Sequence, residues 1–312
     1  MRTIVFFHYY ENNILYRENF IYFLSVAYRN DVDFVIVISG ICSVALPNFR
    51  NVKYIFTENK NNDFGGYVVA LKQLGDSINS YSLFVFVNSS VRGPFIGGRG
   101  SANWIQPFIN QMVGEVHLVG SSINVLPNEN TYAVKFKNEF DYPTPYSHVQ
   151  TTAYALSGKA LKHLIDIGFY DCDSHLPKED VICHYELRLS QEIKKAGWNM
   201  KALLLKYNSI DYRLPHEDIN PTSKNGDPLF KGAYFGFTAN YFDLLFVKIN
   251  RNLVSNVGLY FNTFIGLTFH SNKEIKSWKE SRQLQRASFF ILIKSLGHVF
   301  FKKIRQAFAL IN

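Results

Sequence analysis

Short, wholly apolar runs alternating with stretches of helical periodicity constrain this chain more than any other feature. Thr3 to His8 is an apolar strand candidate, "DFVIVISG" and "VKYIFTE" are short β-branched runs, and Leu83 to Val87 is wholly apolar. Between them, Tyr16 to Arg29 sets Phe20, Phe23, Leu24 and Ala27 on one helical side, and Gly66 to Ile78 also reads as a helix. Strands without a polar face belong in a parallel sheet covered by helices on both sides. The expected class is therefore α/β and Rossmann-like, with a mostly parallel central sheet. Ligands in that class bind beyond the carboxyl ends of the strands, where "SLFVFVNSSVRGPF" places Asn88, Ser89 and Ser90.

After about residue 115 the pattern becomes mixed. "EVHLVGSSI" and "TYAVKFKN" read as strands, "DYPTPYSH" as a loop, and "HVQTTAYALS" as a strand feeding a helix over 158–167. Glu179 to Ala196 reads as one long helix stopped by Gly197. Pro215 to Gly232, rich in Pro, Asn, Asp and Gly, reads as a loop. In the last segment Phe289, Ile293, Leu296, Phe300, Ile304, Phe308 and Ile311 recur at helical spacing. Lys294, His298, Lys302, Lys303 and Arg305 interrupt any span able to cross a bilayer. A basic amphipathic helix on an anionic membrane surface explains both faces, as does a terminal helix packed on its own domain.

A formal charge of +8 points to an anionic partner. The basic residues are scattered and no nucleic-acid motif is present, so nucleic acid is not expected. Cys42, Cys172 and Cys183 form no paired motif, which fits a reducing compartment. "MRTIVFFHYY" is followed at once by Glu11 and two asparagines, and reads as a first strand rather than a signal peptide.

Two stretches carry candidate chemistry. "NKNNDFGGYVVAL" sets Asn62, Asp63, Gly65 and Gly66 between a strand and a helix, where glycines admit a ligand and the helix offers free N–H groups to an anion. A Gly-Gly pair there is equally a plain turn. In "VFVNSSVRGPF", Asn88, Ser89 and Ser90 can hydrogen-bond a ribose or diphosphate, and Arg92 adds a fixed positive charge. Alone, that stretch is equally a polar turn at a strand end.

Taken in order, "FFHYYENN", "NNDFGGYVVAL", "YSLFVFVNSSVRGPF", "HVQTTAYALSGKAL" and "YELRLSQEIKKAGWNMKALL", with the weaker "FDLLFVKINR", resemble bacterial glycosyltransferases of surface-polysaccharide synthesis. The type is that of rhamnan-synthesis protein F. The resemblance extends over roughly residues 3 to 251 and leaves the basic terminus outside. It implies a GT-A-like fold and transfer of a hexosyl or deoxyhexosyl unit from a UDP- or dTDP-sugar to a lipid-linked or oligosaccharide acceptor. O-antigen, capsule and lipooligosaccharide synthesis are the implied settings, at the inner face of the cytoplasmic membrane. The implied organisation is a catalytic domain over 1–251, with a nucleotide-sugar half (1–115) and an acceptor half (116–251), and a helical extension over 252–312.

Many such enzymes carry Asp-x-Asp where this chain has Asn88-Ser89-Ser90, and rhamnan-type relatives resemble Asn-Asp-Ser there. Neutral ligands hold Mg²⁺ or Mn²⁺ weakly, so the expectation is that no metal is required. Arg92, the helix start near Gly66, Lys248 and Arg251 then meet the diphosphate. A metal site built from Asp63, Asp141 or His148 is the alternative. The resemblance makes Glu186 the general base of an inverting transfer, with Glu179 and Asp180 in reserve. An acid there equally serves the helix dipole. Glu192 reads as a solvated residue able to pair with Lys195. His148 and Gln150 are implied to touch donor sugar or acceptor, and His8 and Tyr9 to hold the base. A non-catalytic membrane-associated assembly factor and a retaining metal-dependent transferase stay beside this reading.

Overall fold

In the computed structural model the described residues are 2–97, 103–171 and 174–309, with 296–309 described as backbone only. The chain runs β1 (Thr3–Tyr10), α1 (Ile14–Ala27), β2 (Asp33–Ser39), β3 (Val52–Thr57), α2 (Asn62–Leu74), β4 (Leu83–Asn88) and β5 (Val91–Arg92). There follow α3 (Gln106–Gln111), β6 (Val116–Gly120), β7 (Ile123–Leu126), α4 (Thr131–Glu139), β8 (Tyr146–Val149), β9 (Ala153–Ser157) and α5 (Gly158–Asp166). Then come α6 (Lys178–Val181), a π segment (Ile182–Leu187), α7 (Arg188–Lys195), β10 (Asn199–Ala202), α8 (Tyr241–Leu244) and β11 (Val247–Lys248). α9 (Asn256–Ile265) and α10 (Lys279–Ala309) close the chain.

Seven strands form the central sheet in the order β10-β6-β9-β4-β1-β2-β3. β9 is antiparallel to both its neighbours; every other pairing is parallel. This is the mixed α/β, mostly parallel architecture that the apolar runs demand. β1 shows why both faces must be apolar. Phe7 and Tyr9 point one way, stacking on Phe20 of α1 at 5.5 and 4.2 Å. Phe6 and His8 point the other way, meeting Tyr67 of α2 edge-on at 6.5 and 6.2 Å. Alternation with period two thus gives each helix its own face of one strand.

Helix α1 is itself sandwiched, with Asn19 through Ala27 all buried. Its outer side is covered by the chain after residue 255. Asn272 N donates to Ser25 O at 3.2 Å, Trp278 Nε1 donates to Ala45 O at 2.9 Å, and a Cβ on Gly266 would fall 2.1 Å from the Tyr22 hydroxyl. Leu259, Leu267, Ile275 and Leu284 are buried there. α10 is helical as its periodicity requires. Among the described residues no helix is long and apolar enough to cross a membrane. Side chains of the expected stripe from Leu296 onward, including His298, Phe300, Lys302, Lys303, Ile304, Arg305, Phe308 and Ile311, lie outside the described residues, as does Cys172.

Two local readings need correction. "TYAVKFKN" is helix α4, not a strand: Asn130 caps it by accepting from Tyr132 N at 2.9 Å. Ala133 and Phe136, three apart, pack with Leu126, Tyr146, Cys183 and Leu187 into a small second core. Glu192 is not solvated. It is buried, its carboxylate accepting from Arg188 Nε at 3.0 Å and the Tyr142 hydroxyl at 2.7 Å.

Candidate active site

At the carboxyl end of β4 the chain leaves the sheet through Asn88, and three elements converge on that point. Asn88 Nδ2 donates to Asp63 Oδ2 at 2.9 Å, while its Oδ1 accepts from Ser90 N at 3.1 Å and Ser90 Oγ at 2.5 Å. Asp63 sits in the first turn of α2, after Asn61 and Asn62, both left-handed with φ 56 and 53; asparagine tolerates that region best among residues with a Cβ. β11 is laid antiparallel on β5, pairing Lys248 with Val91, and Ile249 N donates to Ser90 O at 3.3 Å. Lys248 is thereby carried to the same edge.

Glu186 arrives from below on the π segment within the expected long helix. A π turn inserts one residue into the helical repeat and re-aims the side chains it carries, which is why such turns concentrate at functional sites. Thr151 is among the groups that favour its charged form.

The electrostatics tie these groups together. Burial, reinforced by the Glu186 charge, pushes Asp63 up to about 7 against the Asn88 hydrogen bond and the Lys248 charge. Glu186 is raised by burial, with Lys248, Thr151, Lys178 and Arg251 opposing. Lys248 is lowered by burial, while Glu186, Asp227 and Asp63 hold its charge and Arg251 works against it. Arg251 Nε stands 3.2 Å from Asp227 Oδ2, and Gln150 Nε2 donates to Asp227 Oδ1 and Asn124 Oδ1, each at 2.9 Å. Two coupled carboxylates and two cations therefore line one sheet edge.

Several expected site residues are elsewhere or already occupied. Arg92 is fully buried behind the junction: its guanidinium donates to Glu18 at 2.7 Å, Asn19 at 2.8 Å and Thr263 at 3.2 Å. Its charge is neutralised inside the fold and is not offered to a phosphate. Tyr9 is buried against Phe20 and donates to Glu11 at 2.7 Å, so it stacks on no base. His8 is buried, hydrogen-bonded to Ser39 Oγ at 2.8 Å, and driven down to about 3 by burial. The two glycines serve packing rather than ligand approach. A Cβ on Gly65 would lie 1.7 Å from Lys60 O, and one on Gly66 2.5 Å from His8 Cδ2. Ser89 is buried and its hydroxyl accepts from Tyr10 N at 3.2 Å.

Asn62 is exposed at the lip of the site. His148 is buried on β8, its Nδ1 within 3.1 Å of Tyr146 O, and falls to about 4 through burial. Asp180 is ion-paired with Lys135, Glu179 is exposed, and Asp141 is exposed. Asp63, Asp141 and His148 do not form a metal site: among the described residues no group of three or more His, Cys, Asp or Glu is gathered to hold an ion. Around Asp63 stand the Asn88 amide, the Glu186 carboxylate and the Lys248 ammonium, so two carboxylates could supply oxygen ligands while the ammonium opposes a cation beside them.

Asn124, Thr151, Lys178 and Asp227 escape a reading of the sequence. Only Asp227 carries a local signal, following the turn-forming pair Asn225-Gly226. A separate cavity of about 540 Å³ opens at the other end of β4, lined by Phe84, Tyr81, Leu161 and Tyr170, and contains none of these groups.

Neither a protein-family model nor a curated protein sequence matches the chain. In fold it is similar to a mannosyltransferase, PcManGT from Pyrobaculum calidifontis, solved with GDP-Man and Mn²⁺. The identity is 14%, over 64% of this chain and 54% of that one, at a TM-score of 0.37. It is similar to the galactosyltransferase LgtC in complex with donor and acceptor sugar analogues, at 12% identity over 91% and 95% of the two chains, TM-score 0.39. It is also similar to the bifunctional glycosyltransferase WbbM in its apo form, at 10% identity over 90% and 51%, TM-score 0.39. The chain thus spans about half the length of PcManGT and of WbbM. Likenesses at this level bear on neither substrate nor metal.

Proposed function

We propose that the chain is an inverting glycosyltransferase that moves a hexosyl or deoxyhexosyl unit from a UDP- or dTDP-sugar to a lipid-linked or oligosaccharide acceptor. The setting is bacterial surface polysaccharide of the O-antigen, capsule or lipooligosaccharide kind. The observation that carries this reading is the convergence of Asp63, Asn88, Glu186, Lys248 and Arg251 on the carboxyl edge of the sheet. Residues 1–251 supply this machinery, and the basic terminal helix rests on an anionic membrane at its cytoplasmic face.

In the transfer, an acceptor hydroxyl attacks the anomeric carbon while Glu186 takes its proton. A carboxylate raised by burial is a better base than one in water, and Lys248 keeps enough of it ionised to act. The new glycosidic bond forms as the bond to the diphosphate breaks. Lys248 and Arg251 meet the charge that appears on the leaving oxygen, in a partly dry site where such charges count for more than in water. Asn62, Asp63, Asn88 and Ser90 hydrogen-bond ribose and diphosphate, and Gln150, with His148 behind it, faces the sugar. In this reading the leaving charge is met by these cations rather than by a metal.

The test is a transfer assay on the purified chain with UDP-, dTDP- and GDP-sugars and a polyprenyl-linked saccharide, read by mass spectrometry with and without EDTA. Transfer with inversion that survives EDTA is expected. Strict dependence on Mn²⁺, or retention of configuration, contradicts the mechanism.

A further inference from the structure

The loop over 215–232 is anchored at the site by one buried acid. Lys224 and Asp227 exchange backbone hydrogen bonds at 3.0 Å across Asn225 and Gly226, whose φ values of 51 and 81 make a two-residue turn with both central residues left-handed. Gly226 is pressed against β7: a Cβ there would sit 2.1 Å from Val125 O, and Val125 N donates to Gly226 O at 3.2 Å. The turn therefore fixes where Asp227 stands.

From that place the carboxylate reaches three ways. Oδ1 accepts from Leu229 N at 2.8 Å and Gln150 Nε2 at 2.9 Å, and Oδ2 faces Arg251 Nε at 3.2 Å. The Arg251 guanidinium lies 4.7 Å above Phe230, the loop's own aromatic. Among the described residues Asp227 is the one acid in an ion pair with Arg251. Without it, Lys248 and Arg251 are like charges on one edge with less to hold them there.

We propose that Asp227 is a positioning residue that aims Arg251, and with it Gln150, at the diphosphate sugar. The loop becomes part of donor binding though none of its side chains need touch the donor. The proposal rests on the donor site described above and names a residue that site depends on.

A double-mutant cycle tests it. Calorimetry with UDP, dTDP and GDP first finds the diphosphate that the wild-type chain binds. Asp227→Asn keeps an oxygen for Leu229 N and Gln150 but turns a donor toward Arg251, so the dissociation constant rises about tenfold. In an Arg251→Ala background the same substitution has a clearly smaller effect, limited to the part that passes through Gln150 and Lys248. The alkaline limit of binding also moves to lower pH, because Asp227, with Glu186 and Asp63, sustains the Lys248 charge that burial and Arg251 depress. Equal weakening in both backgrounds, or an unmoved alkaline limit, shows a structural acid and overturns the proposal alone. If the wild-type chain binds none of the three diphosphates, the donor site itself falls and takes the proposal with it.

Discussion

Arg92→Met separates a phosphate-binding arginine from a structural one. The guanidinium is fully buried, the Glu18 side chain is 13% exposed, and the pair is closed by Asn19, Thr263 and a cation–π contact with Tyr260 at 5.5 Å. Methionine fills most of the volume but leaves the Glu18 carboxylate with the Tyr260 hydroxyl at 3.0 Å as its remaining donor. Removing one partner of a buried pair costs about 3–5 kcal/mol, since the other charge is stranded. At a urea slope of about 3 kcal/mol per M, the midpoint falls by about 1–1.7 M. Denaturation followed by tryptophan fluorescence reads this, Trp104 being buried in the same core. Nucleotide affinity stays within about threefold, because no contact to the diphosphate is lost. Glu18→Gln moves stability the same way by a smaller step. A variant of wild-type stability whose nucleotide affinity drops tenfold or more refutes the structural assignment.

Other consequences follow from the same packing and charges. Gly66→Ala puts a Cβ 2.5 Å from a His8 ring pinned by Ser39, so α2 must lift from β1 and stability falls by about 1–3 kcal/mol in a thermal melt. His8 and His148 have folded pKa values of about 3 and 4, below the ordinary 6.5. Their contribution is full above pH 6.5 and is lost as the pH falls toward those values, a loss that shrinks in His148→Asn melts. Asp63 runs the other way: raised to about 7, its contribution is full below its unfolded value and lost as the pH rises through 7. Asp63→Asn therefore gains stability over wild type at pH 8 and little at pH 4. Truncation after Arg251 uncovers α1 and abolishes cooperative unfolding in a urea melt.

Hydrophobic periodicity reads the sheet well because a strand buried on both faces has no polar alternative: β1, β2 and β4 leave no choice of class, whereas β3, at the sheet's edge, is buried only at Ile55. It fails at "TYAVKFKN", where alternating apolar residues satisfy a strand and a short helix alike and only the Asn130 cap decides. At the site, Asp63, Asn88 and Ser90 are legible from their place at element ends, whereas Glu186, midway along a helix, is reached only through the family resemblance; Asn88 bonds Asp63 and Ser90, and Asp63 feels the Glu186 charge. Arg92, His8 and Tyr9 follow the same rule of position yet turn inward, because direction depends on what packs behind a strand end: Glu18, Ser39 and Phe20 here. Asp227, Asn124 and Thr151 come from loops and a small sheet with no motif of their own. Nor does sequence periodicity reveal the π segment under Glu186, since one inserted residue hardly alters an apolar pattern.

The central claim is that a sugar diphosphate sits over Asn88 with Lys248 at its phosphates and Glu186 at the acceptor. Calorimetric titration of the donor that the wild type uses, into Lys248→Met and Glu186→Gln side by side with the transfer assay, tests this directly. Donor affinity is expected to fall at least tenfold in Lys248→Met, and to be kept in Glu186→Gln while transfer disappears. Transfer at wild-type rate by Glu186→Gln, or donor affinity indifferent to Lys248, contradicts it.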